Sequence, residues 1–114
     1  MIQNTHVFLK MYKLVFVTAS EEDGQKIARV LVEKKLAACV NITPIRSIYH
    51  WKGKIEEDKE QLLIIKTKHS RIEELKKVVK EIHSYEVPEC IVISIEDGLI
   101  DYLNWIDETI SGEN

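Results

Sequence analysis

The chain has 114 residues, enough for one domain with its own core and too few for two. Its 45% hydrophobic and 31% charged residues are those of an ordinary globular protein, and a formal charge of -3 leaves no basic face to neutralise phosphates, which excludes nucleic acid as a partner. No apolar run approaches the ~18 residues of a membrane span and no signal peptide is evident, so a cytoplasmic protein with no membrane partner is expected.

Residues 1–11 show no hydrophobic period and end at a second methionine, Met11, so they read as a flexible N-terminal extension; residues 12–114 form the single domain. Leu14-Val15-Phe16-Val17-Thr18 is a continuous apolar run, as in a strand covered on both faces. Ser20 and Asp23 make a helix start signal. The helix that follows carries Ile27, Val30 and Leu31 on one stripe, with Lys34 closing it through its aliphatic stem. Ala37 to Asn41 predicts a second strand, which bulges or bends at Pro44 because proline cannot donate to a ladder, and resumes over Ser47–Trp51.

Lys52-Gly53 has the length and the glycine of a tight hairpin. The returning strand is polar over Ile55–Glu60 and wholly apolar over Leu62–Ile65. Such a change of character midway predicts a strand that leaves its own core and continues into another subunit's sheet. Ser70 and Glu73 form a capping box ahead of a helix with Ile72, Leu75, Val79 and Ile82 on one face. Pro88 bars helix from Val87 onward, so that helix ends near His83. A strand over Cys90–Glu96 and a last helix with Leu99, Leu103, Ile106 and Ile110 in register complete the chain. The order is βαββαβ with a C-terminal helix, an α+β ferredoxin-like sandwich with two helices on one face of the sheet. The other face is left for the third helix and a partner subunit.

Cys39 and Cys90 lie in apolar runs, lack Cys-x-x-Cys or metal spacing, and read as reduced, buried core thiols. Only four glycines are present, none at phosphate-loop spacing. No Ser-His-Asp or Cys-His constellation can be assembled either. The turn Thr18-Ala19-Ser20-Glu21 has no arginine of the kind an acylphosphatase needs there. A non-enzymatic protein is expected.

Four segments occur in register: Leu36-Ala37-Ala38-Cys39-Val40-Asn41, Ser47-Ile48-Tyr49-His50-Trp51-Lys52-Gly53-Lys54-Ile55, His83-Ser84-Tyr85-Glu86-Val87-Pro88-Glu89 and Tyr102-Leu103-Asn104-Trp105-Ile106. Together they resemble the CutA divalent-cation-tolerance family from about Tyr12 to Ile110. The resemblance implies a homotrimer assembled through extended hairpins, and a link to tolerance of copper and other divalent metals. It also makes His83 the match to one of the family's proposed ligands; some relatives carry two others where this chain has Val17 and Ile82.

On the residues themselves, His83 with Glu89 is the candidate metal pair, since an imidazole beside carboxylates suits copper or another borderline divalent cation. The competing account has His83 and Tyr85 capping the helix and pinning the loop to Pro88. No cofactor is required. Tyr49, Trp51, Glu60, Lys66, Tyr85 and Trp105 form a second group, lining an inter-subunit cleft for a small effector, as in PII-like trimers, or packing an interface. Lys66, at the end of an apolar run, is expected to be half-buried and to want a carboxylate. Glu56-Glu57-Asp58 point to alternate faces and read as a solvated hairpin edge.

Overall fold

The computed structural model describes residues 11–111; the expected extension over residues 1–10 lies outside them. Strand β1 (Tyr12–Ala19) leads into helix α1 (Glu21–Glu33), strands β2 (Cys39–Trp51) and β3 (Lys54–Lys68), and a short 3-10 turn at His69–Arg71. Helix α2 (Ile72–Ile82), strand β4 (Cys90–Ser94) and helix α3 (Ile100–Ile110) follow. The four strands form one sheet in the order β2-β3-β1-β4, with every neighbouring pair antiparallel.

Alternation along the strands divides the sheet into two unlike faces. Val15, Val17 and Ala19 of β1 and Leu63 and Ile65 of β3 meet Ile27 and Leu31 of α1 and Leu75 and Val79 of α2 in the main core. On the opposite face, α3 covers one end, where Leu103, Ile106 and Ile110 bury Tyr12 and Ala38. Its attachment is polar as well: Lys68 Nζ lies 2.6 Å from Asp107, and the Arg71 guanidinium donates to the Ile110 carbonyl. The rest of that face carries Leu14, Phe16, Leu62 and Ile64, only half-buried, with Ile91 and Ile93 more open still.

Several local expectations are met. Ser20 caps α1, its Oγ accepting the Asp23 N–H at 3.1 Å. Lys52 and Gly53 form a two-residue turn with both φ angles positive, 51° and 79°, as a hairpin matched to strand twist requires. Gly53→Ala is expected to cost about 1 kcal/mol in urea unfolding, from backbone conformation alone, because nothing stands within 4 Å of an added Cβ.

Other expectations give way to geometry. β2 runs unbroken through Pro44, which pairs with Gln61, because β2 is an edge strand in this chain and can point a missing N–H outward. The capping box at Ser70 does not form. The chain leaves β3 through the 3-10 turn, so α2 begins at Ile72 after an Arg71 that makes no side-chain cap, and Glu73 pairs with Lys76. Lys34 lies past the end of α1, exposed, and Gly24 and Ala28 complete the buried stripe in its place. β4 stops at Ser94, and Leu99 precedes α3, exposed, without joining its stripe. Cys39 and Cys90 are free thiols, half-buried where full burial is expected.

The β2–β3 hairpin is longer than its support. β1 ends at Ala19 opposite Gln61, so Lys54–Glu60 pair only with Ile45–Trp51 as a two-stranded ribbon. Ile48 and Ile55 on that ribbon are 69% and 72% exposed. An isolated ribbon of this kind is marginal by itself.

Candidate functional site

The site lies on the open face, at the end of the sheet away from α3, between the ribbon and the loop that leaves α2. Pro88 and the turn over Tyr85–Val87 release the chain from α2 at His83, which crosses the end of β1 and is buried there. The His83 Nε2–H donates to the Thr18 carbonyl at 2.7 Å. Nδ1 accepts the Tyr85 N–H at 3.1 Å. Since a backbone N–H can only donate and a carbonyl only accept, these two partners fix the tautomer. Beside the ring, Asp23 accepts the Ser84 N–H at 3.0 Å, and these hydrogen bonds hold its carboxyl below the usual range.

Tyr85 packs on the imidazole with ring centroids 4.5 Å apart and donates its hydroxyl to Glu60 Oε2 at 2.7 Å. Burial first, and the Glu60 bond and charge second, push the Tyr85 phenol well above its ordinary pKa. Across the cleft, the Tyr49 hydroxyl donates to Asp58, and this bond raises its pKa to about 12. Both phenols therefore stay protonated and serve as donors to carboxylates. Thr18 Oγ1 reaches Glu89 at 3.4 Å. At the rim, the Lys52 ammonium stands 5.5 Å over the Trp51 ring and 3.8 Å from Glu86. The cleft is open, with a volume of about 1010 Å³.

Tyr49, Trp51, Glu60 and Tyr85, together with Glu89 of the candidate metal pair, line one cleft within the single chain. The histidine does not open into it as a ligand: both His83 ring nitrogens already hold backbone partners, and its side chain is fully buried. Among the described residues, no three His, Cys, Asp or Glu side chains are grouped to hold a metal ion. Within one chain, Lys66 and Trp105 stand apart from the cleft. Lys66 is further along β3, opposite Cys39 and Leu14, and no carboxylate partner is found for it among the described residues. Trp105 is 41% exposed on α3 beside Tyr102, ring centroids 5.4 Å apart.

The model of the CutA1 divalent ion tolerance protein family matches residues 13–109. The chain belongs to that family. It is 48% identical to the divalent-cation tolerance protein CutA of Archaeoglobus fulgidus over 101 residues, 88% of this chain and 99% of that protein. It is 52% identical to human protein CutA over 93 residues, 80% of this chain but 52% of the human protein. The chain therefore spans nearly all of the archaeal relative and about half of the human one. The solved periplasmic divalent cation tolerance protein CutA from A. fulgidus superposes with a TM-score of 0.85 over 88% of this chain and 99% of that one. A Nostoc sp. PCC 7120 chain described as PII-like protein CutA, 37% identical, superposes with a TM-score of 0.82, covering 86% and 96%.

The sequence marks Asp58 only as part of a solvated hairpin edge and Thr18 only as the end of a strand. Asp58 was within reach, since it shares a strand face with Glu60 by the period of two. Nothing near Thr18 in sequence marks its carbonyl as the partner of a ring 65 residues away.

Proposed function

We propose that this CutA-family chain is a non-catalytic, ferredoxin-like trimeric module that binds a small effector in the cleft between hairpin and loop. The observation that carries this is the closed set of hydrogen bonds on His83, which makes it the pin of the cleft's floor and directs ligand chemistry to Tyr49, Trp51, Glu60 and Tyr85. In this reading, divalent-cation tolerance follows from effector binding or from weak ion pairing with dispersed carboxylates, with no copper site centred on His83 and Glu89. The description of the Nostoc relative as PII-like agrees with an effector-binding module.

Trimerisation is supported by the ribbon, by the apolar open face, and by the outer edge of β4, whose Ile91, Val92 and Ile93 are 51%, 38% and 39% exposed. An apolar, unpaired edge of this kind calls for cover.

The test is an NMR screen of the isotope-labelled chain against metabolites of anionic, cationic and neutral classes, with Cu(II) titrated alongside. Amide shifts confined to Ser47–Trp51, Glu60 and Tyr85–Glu89 are expected for at least one class. Shifts placed elsewhere, or a Cu(II) response centred on His83, overturn the reading.

A further inference from the structure

The lining of the cleft has a marked charge. Asp58, Glu60, Glu86 and Glu89 face it with Lys59 as the one lysine among them. Glu60 decides more than the count does. It is 8% exposed, and its one hydrogen-bond partner among the described residues is the neutral Tyr85 hydroxyl. A carboxylate so far from water without a cation is costly, and an entering cation relieves that cost.

The second observation is independent and lies at the rim. The chain's own Lys52 places an ammonium over the Trp51 ring while approaching Glu86. An aromatic face paired with a carboxylate is a recognised seat for alkylammonium groups. Metal ions need several oxygens converging within about 2.6 Å, and among the described residues no such group exists. Flat rings with spaced carboxylates suit a larger, softer cation whose methylenes also bury apolar surface.

We propose that the cleft selects small organic cations of the aliphatic ammonium class, their charge against Glu60 and Glu86 and their methylenes along Tyr49 and Trp51. This rests on the cleft being the effector site and narrows the effector to one charge. Anions such as nucleotides and dicarboxylates are rejected by the same carboxylates.

The probes are 1,4-diaminobutane and succinate, two molecules of similar length and opposite charge, titrated calorimetrically into the full chain in phosphate buffer free of amines. The diamine is expected to bind and succinate not to. Glu60→Gln keeps an acceptor for Tyr85 and is expected to weaken the diamine at least about tenfold. Trp51→Leu, on the ribbon, is expected to weaken it several-fold and carries the test if Glu60→Gln fails to fold. Lys52→Asn, a residue suited to the positive φ there, is expected to tighten binding by vacating the Trp51–Glu86 seat. Glu57→Gln, paired with Arg46 outside the lining, is expected to change nothing.

Succinate binding with cleft shifts, and no diamine binding, overturns the cation class while leaving the effector site standing. Diamine binding indifferent to Glu60 and Trp51 overturns it too, as general attraction to an acidic surface. Neither probe binding overturns it as well, and the effector site is then decided separately by the wider metabolite screen.

Discussion

His83→Ala is expected to destabilise the protein by about 2–4 kcal/mol while leaving its Cu(II) affinity within about twofold of the wild type. The ring is fully buried and links the end of β1 at Thr18 to the loop at Tyr85, beside the weaker Thr18–Glu89 contact. Removing it leaves a buried carbonyl and a backbone N–H without partners, each costing about 1–3 kcal/mol if neither regains water, and opens a void between them. Relaxation of the loop toward solvent returns part of this, which sets the lower bound. Against a typical total of 5–15 kcal/mol, such a loss is plainly visible in urea unfolding at fixed protein concentration. The paired copper titration separates the two accounts of this residue. A large fall in Cu(II) affinity with stability retained makes His83 a ligand; the reverse pattern makes it a pin. The same substitution is expected to disturb the cleft indirectly, because the Tyr85 ring rests on the imidazole it would lose.

Local chemistry made much of the fold legible. Ser20 and Asp23 announce α1, Lys52-Gly53 fixes the hairpin register, and Pro88 sets the end of α2, each through backbone constraints within a few residues. The failures share a cause. Pro44 reads as a break until the sheet order shows that its strand is at an edge, and Ser70 reads as a cap until the exit from β3 takes up the same residues in a 3-10 turn. In both, neighbours distant in sequence decide between two locally acceptable conformations.

The site was legible by residue type and less so by role. Tyr49, Trp51, Glu60, Tyr85 and Glu89 stand out as polar or aromatic residues at strand ends and loops, and they do meet. Their pairing is another matter. Tyr85 and Glu60 are 25 residues apart and Thr18 and Glu89 are 71 apart, so no spacing rule connects them. Lys66 drew notice for its position after an apolar run, yet the neighbouring Lys68 is the one that is buried and ion-paired, with Asp107 of α3. A shift of two along a strand keeps the face and changes the partner.

Ile91→Lys is expected to convert the proposed trimer into monomers of 13.3 kDa at micromolar concentration, read by sedimentation equilibrium, where the wild type is expected at three times that mass. Ile91 is opposite Phe16 on the uncovered face and is 51% exposed in the single chain, so a lysine there costs the isolated subunit little. Inside an interface the same ammonium would be buried against Leu14, Phe16 and Ile93 without a partner, at several kcal/mol for each subunit. A closed ring of identical contacts repeats the penalty at every interface, which is why a single substitution suffices. The monomer should keep the strand and helix content of the wild type in circular dichroism, because the core between the sheet and α1 and α2 is made within one chain. Its ribbon should not survive as well. Any cover that the proposed trimer gives Ile48 and Ile55 is lost on dissociation, so amide exchange should quicken over Ile45–Glu60 before it does in β1. Because Tyr49 and Trp51 ride on that ribbon, loss of assembly and loss of the cleft should go together. A variant that stays trimeric removes this face from the interface, and a monomer that keeps a rigid ribbon removes the need for a partner to hold the cleft.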